Sequence, residues 1–387
     1  MVVDLIGFGI VLPVLPLWAE DFGASPLQIG LLTAVYSLMQ FLVAPLWGRA
    51  SDRVGRRPVI LVALAGSAVA ALLVGFAWSL AALFVARILQ GAAGASYVAA
   101  QAYVADVTTT KDRARGMGLI GAAFGVGFVL GPAIGALAAA AGGSSTPFFV
   151  ASGLAALNFV VAWFRLPESR RPGASAAYSP RWALIRTALW SRRLAPLVLI
   201  SFLGTFAFVG MESTFALFGE RRFGYGFEEV ALLFAYIGIA AAASQGVLVG
   251  RLVDRAGELM VLLVGLVGSA AGMLLLALAE DLWLLLIALA VLGLASGLVF
   301  ATVTALTSLS VGDDEQGGAL GLLASSGGLA RIAGPIVATG LFGSVGIGSP
   351  LVLGAALFAA CAVVAGLALL RPERATAAGG GAAVRDV

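Results

Sequence analysis

The chain lacks several of the residue types on which common protein chemistries depend. Its 387 residues include no histidine, one cysteine and one lysine. The commonest metal ligand and the usual proton carrier near neutral pH are therefore missing. Because Cys361 stands alone, one chain can form neither a disulfide nor a cysteine-based metal site. We expect no metal, no cofactor and no clustered nucleophile and base, so we do not expect an enzyme.

Charged residues are also scarce. They make up 11% of the chain against 61% hydrophobic residues, and the mean hydropathy is +1.04. A soluble domain has about 25% charged residues, so this composition places the chain in the membrane class. The net charge of +3 comes from arginines in short loops rather than from a basic face or tail, so no nucleic-acid partner is expected.

Long apolar segments fill most of the sequence. A helix needs about 20 apolar residues to cross a bilayer. Twelve segments fit, at residues 2–19, 27–48, 58–78, 80–104, 116–140, 146–165, 195–218, 228–249, 259–279, 282–308, 317–342 and 349–370. The first lacks a basic leader and a small-residue cleavage site, so we interpret it as a span rather than a signal peptide. The predicted fold class is all-α integral membrane, with twelve transmembrane helices.

A short basic sequence occurs twice. The stretch Gly48–Pro58 has a weaker copy, Gly250–Glu258, that begins 202 residues later, and Gly131-Pro132 matches Gly334-Pro335 at nearly the same offset. We predict two pseudo-symmetric six-helix halves, with the substrate site between them near the bilayer midplane. The predicted parts are an N-terminal half (1–166), a cytoplasmic linker (167–194), a C-terminal half (195–371) and a short tail (372–387).

The basic residues predict the orientation. Of the 23 Lys and Arg residues, 19 fall on one side of the predicted spans, two on the opposite side and two inside spans. Basic loops stay in the cytoplasm. We therefore predict a multi-pass protein of the plasma (inner) membrane with both termini cytoplasmic.

Four ionisable residues fall inside predicted spans: Asp4, Arg87, Glu212 and Arg331. A charge at a helix centre costs about 2.5–3.5 kcal/mol on insertion scales, so each is a candidate for proton coupling. Glu212 is a candidate proton carrier, and Arg331 a candidate partner for an anion or a carboxylate. The alternative for Asp4 and Glu212 is a position near the interface, where the side chain reaches water.

Polar and aromatic side chains recur at helical spacing on several spans. Such groups on inward faces suit an amphipathic organic ligand, although each could instead be an interhelical contact. The pocket candidates are Thr33, Tyr36, Gln40, Tyr97, Gln101, Phe124 and Tyr236. The fifth span is dense in glycine around one proline, which predicts a pliable, closely packed helix. Its motif residues are Gly121, Gly125, Gly131, Pro132 and Gly135.

Taken together, these stretches resemble the major facilitator superfamily, and within it the twelve-span drug:proton antiporters of the tetracycline-efflux type. The resemblance is carried by Asp4–Pro16, Tyr36–Phe41, Gly48–Arg57, Arg87–Gly94, Tyr103–Asp106, Gly121–Gly135 and Leu166–Ser169. It implies a conformational gate in which Arg56 pairs with Asp106 while Asp52 lies against the start of the eleventh helix. The implied gate residues are Gly48, Asp52, Arg53, Gly55, Arg56, Arg57, Asp106, Asp254 and Arg255. The second copy has Glu258 at the position of Arg56.

The sequence therefore predicts a secondary active transporter. We expect it to export small, amphipathic, drug-like organic compounds in exchange for protons, by alternating access. The alternative is an exporter or facilitator of a sugar, a polyol or another metabolite with the same fold. The expected partners are the small-molecule substrate, protons and the lipid bilayer, and the chain is expected to be a monomer.

Overall fold

The computed structural model describes residues 2–94, 97–108, 113–169, 194–312 and 315–369. Within these ranges the chain is helical and contains no β-strand. Most of the predicted linker and all of the predicted tail lie outside the described residues. The boundaries of the four predicted parts therefore stay predictions.

Twelve helical segments of the described chain are long and apolar enough to cross a membrane. We number them as spans in chain order. The spans are Val2–Glu20, Pro26–Val54, Arg56–Gly75, Leu80–Gly94 with Tyr97–Val107, Arg113–Gly142, Thr146–Arg165, Leu194–Phe223, Phe227–Ala243 with a π-helical turn at Ser244–Leu248 and Val249–Ala256, Glu258–Leu278, Leu282–Leu309, Gln316–Ser344, and Ser349–Leu369. The predicted fold class is confirmed.

Two helices run further than their apolar segments suggested. The second span continues to Val54 and the eighth reaches Ala256, so the two predicted basic loops are almost entirely helical. In each basic stretch the helix is interrupted at one glycine, which is Gly55 with φ +113° in the first and Gly257 with φ +78° in the second. Only glycine adopts such values readily, which is why the break falls at these positions.

The same packing recurs in both halves. The first span packs on the fifth and sixth, the second on the fourth, and the third on the fourth and sixth. Six spans later, the seventh packs on the eleventh and twelfth, the eighth on the tenth, and the ninth on the tenth and twelfth. This repetition makes the halves pseudo-symmetric. They meet through the second and eleventh, the fifth and eighth, and the first and seventh spans.

The contact between the second and eleventh spans is uneven along the bundle. We call the two ends the Glu20 end, where the first span finishes, and the Arg56 end, where the third begins. Near the Glu20 end, a Cβ added at Gly30 would lie 2.6 Å from the backbone oxygen of Pro335, and one at Gly343 would lie 3.5 Å from Pro26. Toward the Arg56 end, a Cβ added at Gly317 or Gly321 would meet nothing within 4 Å. The halves are therefore closely packed at the Glu20 end, whereas Gly317 and Gly321 in the first turns of the eleventh span have no close neighbour.

Candidate functional site

A cavity lies between the two halves, at the level where the first, second, fourth, seventh and eleventh spans meet. It is lined by Phe8, Val11, Leu12, Leu15, Pro16, Thr33, Tyr36, Ser37, Arg87, Val209, Glu212, Ser213 and Arg331. The empty space between these side chains, including its open mouth, is about 510 Å³.

Arg87 is held firmly in the wall of this cavity. Only 2% of the residue is exposed. Its guanidinium donates to Gln90 Oε1 at 2.7 Å and to the Leu32 carbonyl at 3.5 Å, and it lies 4.4 Å from the centre of the Tyr36 ring. A cation over an aromatic face is stabilised by about 2 kcal/mol when desolvated. The fourth-span arginine is therefore tied to the second span.

Glu212 and Arg331 enter the same cavity from the second half. Glu212 is 5% exposed, which excludes the interfacial position considered for it, and its Oε1 has no hydrogen-bond partner. Among the described residues, no ion pair or hydrogen bond involves Arg331. Arg87, Glu212 and Arg331, three of the four predicted intramembrane ionisable residues, thus share one cavity. Among the described residues, Glu212 Oε1 and the Arg331 guanidinium have no hydrogen-bond partner.

Asp4 lies elsewhere. It is not a lining residue of the cavity, and its Oδ2 accepts a hydrogen bond from Asn158 Nδ2 at 3.1 Å. Asn158 belongs to the sixth span, so the contact joins two spans of the first half. This places Asp4 in an interhelical contact near the Arg56 end, apart from the three cavity residues.

The predicted pocket side chains divide into three groups. Thr33 and Tyr36 line the cavity. Gln40 instead donates from Nε2 to the Gly94 carbonyl at 3.2 Å, and neither Gln101 nor Tyr236 is a lining residue. The side chains of Tyr97 and Phe124 lie outside the described part of the chain.

Most of the apolar lining comes from the first span, which sequence reasoning did not select. Phe8, Leu12 and Leu15 follow the i, i+4, i+7 spacing of one helix face. That spacing was readable in the sequence. The spacing did not identify an inward face, because nearly the whole span is apolar and no polar face marks which side points inward.

At the Arg56 end, the predicted pairing of Arg56 with Asp106 is present. Arg56 is 7% exposed, and its Nε lies 3.0 Å from Asp106 Oδ2. Its Nη1 lies 2.8 Å from Asp52 Oδ1 and donates to Ser51 Oγ at 2.6 Å. We call Asp52, Arg56, Asp106 and Glu168 the latch. The implied contact of Asp52 with the eleventh helix stays a prediction.

Glu168 is a latch residue that sequence reasoning did not include in the gate. Its Oε1 accepts from the backbone N–H of Arg56 at 2.9 Å, and its Oε2 from that of Arg57 at 3.1 Å. The first N–H groups of a helix have no partner within that helix, and a carboxylate there is favoured by the helix dipole. Glu168 therefore caps the third span from beyond the end of the sixth. The side chain of Arg57 also reaches the sixth span, where Nη2 donates to the Trp163 carbonyl at 2.7 Å.

The remaining gate candidates are not joined in this way. Arg53 is exposed, as are Asp254 and Arg255 of the second copy, and within the described residues no ion pair involves these three. The cause is visible in the sequence, because the residue four positions after Asp254 is Glu258, another acid. The second copy repeats the helix break but not the ion pairs.

The fifth-span glycines differ from one another. A Cβ added at Gly131 would lie 2.6 Å from Gly9 Cα, and one at Gly135 would lie 3.2 Å from the Ile10 carbonyl, so both contact the first span closely. Gly127, which the motif did not include, is as close, at 2.6 Å from the carbonyl carbon of Leu5. Gly125 was expected to pack closely, but a Cβ there would meet nothing within 4 Å. The residue Pro132 is buried, and Gly121 lies outside the residues whose burial is described.

At the Glu20 end, an ion pair joins the two halves. Arg221 Nη2 of the seventh span lies 3.2 Å from Glu20 Oε1 of the first span. The same guanidinium lies 4.9 Å from the ring centre of Phe342 in the eleventh span. One arginine therefore links three spans across the interface between the halves.

Twelve spans in two repeated halves, with a charged cavity between them, define a multi-pass membrane transporter. Comparison with known proteins identifies the family. The model of the Major Facilitator Superfamily matches residues 1–258 and 229–384. The chain belongs to this superfamily, and the predicted family is confirmed.

Individual relatives were found both by sequence and by structure. The chain is 35% identical over 372 residues to the class C tetracycline resistance protein of Escherichia coli, covering 92% of each chain. It is 29% identical to multidrug resistance protein 1 of Bacillus subtilis, over 88% of this chain and 87% of that protein. The crystal structure of the human organic anion transporter MFSD10 (TETRAN) is 27% identical and superimposes with a TM-score of 0.70, covering 94% of this chain and 96% of the human chain.

Proposed function

We propose that this chain exports small amphipathic organic compounds in exchange for protons, by alternating access. The observation that carries the proposal is the cavity between the halves, where apolar and aromatic side chains surround three ionisable groups. A ligand site with a mostly apolar wall and a few placed polar groups suits an amphipathic molecule. A sugar or polyol stays the alternative substrate, since Thr33, Ser37 and Ser213 also place hydroxyl groups on this wall.

The similar proteins support export of drugs. Two of them are named for resistance to tetracycline or to several drugs, and the human structure is that of an organic anion transporter. An apolar, aromatic wall is compatible with several classes of drug-sized compound.

Proton exchange is proposed through Glu212. Glu212 is buried in the cavity wall that it shares with Arg331, and its Oε1 has no hydrogen-bond partner in the described chain. A proton and a substrate that donates to the carboxylate would then compete for Glu212, and such competition is what exchange requires. Asp4 and Arg87 support this role by fixing the helices of the first half that face the cavity.

Alternating access is proposed to follow from the uneven contact between the halves. In the described arrangement the halves are packed and ion-paired at the Glu20 end, whereas Gly317 and Gly321 at the start of the eleventh span have no close neighbour. The 19 basic residues predict that the Arg56 end faces the cytoplasm. Substrate would then enter from the cytoplasm and leave after the Glu20 end opens.

The test is accumulation of a fluorescent drug in everted membrane vesicles with an imposed proton gradient. We expect uptake that an uncoupler abolishes. Glu212→Gln should lose gradient-driven uptake, and Glu228→Gln is the matched control because Glu228 is exposed at the start of the eighth span. Equal gradient-driven uptake by both variants would exclude Glu212 as the proton site, and uptake insensitive to the uncoupler would exclude proton exchange.

A further inference from the structure

Two groups in the cavity have unmet hydrogen-bonding capacity. Arg331 has no ion pair or hydrogen bond among the described residues, although its guanidinium carries five donors. Glu212 is buried, and its Oε1 accepts no hydrogen bond. Glu212 is thus a buried acceptor without a donor, and Arg331 is a half-buried donor group without an acceptor, so a ligand that offers both partners gains by satisfying them.

The third charged group cannot satisfy either of them. Arg87 already donates to Gln90 and to the Leu32 carbonyl, and it is stacked on Tyr36. It belongs to the first half, whereas Glu212 and Arg331 lie on the packed seventh and eleventh spans of the second half. Arg87 therefore contributes a fixed positive charge, while the two unpartnered groups stay available to a ligand.

Charge then decides which ligand fits. A purely cationic compound would satisfy Glu212 but leave Arg331 unpartnered beside a second arginine. A purely anionic compound would satisfy Arg331 but place its charge near the Glu212 carboxylate. A compound with both an anionic group and a protonated amine meets both needs, because each charge pairs with the opposite one.

We propose that Arg331 and Glu212 form a two-point subsite for amphipathic zwitterions. Arg331 binds the carboxylate of the substrate, and ionised Glu212 accepts from its ammonium group. The apolar face of the first span, including Phe8 and Leu12, covers the rest of the molecule. The proposal rests on the proposed function only in that the cavity is the transport site.

Three analogues that differ in charge test the subsite. Norfloxacin is a zwitterion with a carboxylate and a piperazine ammonium, its N-acetyl derivative keeps only the carboxylate, and its methyl ester keeps only the ammonium. Binding is measured by tryptophan fluorescence or equilibrium dialysis on the purified full chain in detergent, without any gradient. We expect norfloxacin to bind about 10- to 100-fold more tightly than either analogue, because each analogue loses one charge-assisted hydrogen bond.

Two variants should show opposite selectivity. Arg331→Gln should weaken norfloxacin and the N-acetyl derivative by about 10- to 100-fold and leave the methyl ester unchanged. Glu212→Gln should weaken norfloxacin and the methyl ester and leave the N-acetyl derivative unchanged. A variant that only disturbed the fold would weaken all three compounds alike. Arg251→Gln is the control for loss of one arginine, since Arg251 is exposed at the far end of the eighth span.

Each other outcome overturns the proposal. The zwitterion subsite would be contradicted if either single-charge analogue bound most tightly, or if each variant weakened all three compounds equally. It would also be contradicted if no compound bound at millimolar concentration. Because no gradient is present, a failure here is separate from a failure of proton-driven uptake. A chain that binds zwitterions without transporting them against a gradient would keep the subsite and refute the exchange.

Discussion

The close contact between the first and fifth spans makes Gly131 sensitive to the smallest possible substitution. In Gly131→Ala the new methyl carbon would lie 2.6 Å from both Cα and the carbonyl carbon of Gly9. Carbon atoms pack best at about 3.5–4.0 Å, so the two helices must separate by about 1 Å. These neighbours are backbone atoms and have no rotamer to change. Overpacking of this kind typically costs about 1–3 kcal/mol.

Gly125→Ala supplies the matched control, because it makes the same change about 1.7 turns earlier on the same helix. A Cβ at Gly125 meets nothing within 4 Å, and alanine is favoured over glycine in a helix by about 1 kcal/mol. We therefore expect Gly131→Ala to lower the midpoint of thermal unfolding in detergent and to reduce transport. Gly125→Ala should leave the midpoint unchanged or raise it. Equal midpoints for the two variants would refute the packing argument.

Two further comparisons test the helix break and the closed end. Gly55→Ala and Gly257→Ala should each cost about 1–3 kcal/mol of unfolding free energy, because both glycines adopt a φ/ψ region nearly restricted to glycine. Gly55→Ala should cost more, since its Cβ would lie 2.5 Å from Glu168 Oε2, whereas a Cβ at Gly257 would meet nothing within 4 Å. Equal shifts of the two variants in chemical denaturation would contradict this ranking. Glu20→Gln and Arg221→Gln should each widen the distance between spin labels placed on the second and eleventh spans at the Glu20 end. Their coupling in a double-mutant cycle should be about 0.2–1 kcal/mol, as for a partly exposed pair, and a distance that does not respond would remove this ion pair from the closure.

The fold could be predicted from the sequence because its main signal is composition. Twelve apolar segments, each long enough to match the thickness of the bilayer, predict twelve spans. The repeated basic stretch predicts that the spans form two related halves. The helix ends were less predictable. The second span continues beyond its apolar residues to Val54, since polar residues such as Asp52 remain compatible with a helix that projects into water.

The cavity was predictable only in its ionisable residues. Arg87, Glu212 and Arg331 are exceptional inside apolar spans, so the cost of burying them singled them out. The apolar lining was not predictable, because a span that faces lipid on one side and protein on the other is apolar all round. The sequence of the first span therefore does not show which face carries Phe8, or that Gly127 rather than Gly125 packs against it.

The Glu168 cap was missed for a different reason. The sequence places Glu168 after the sixth span, 112 residues from Arg56, and no local pattern joins the two. The contact depends on the third and sixth spans packing side by side, which brings the end of one to the beginning of the other. Only the tertiary arrangement shows that this carboxylate caps a helix.

The two ends of the bundle differ in which parts they hold together. The described latch contacts of Arg56 join the first half to itself, through Asp106, and to the residues just after its sixth span, through Glu168, so they can persist while the halves move. The ion pair between Glu20 and Arg221 crosses between the halves and must break if the Glu20 end opens. Within the described residues, the second copy of the basic stretch makes none of these ion pairs, so the bracing seen at the Arg56 end belongs to the first copy.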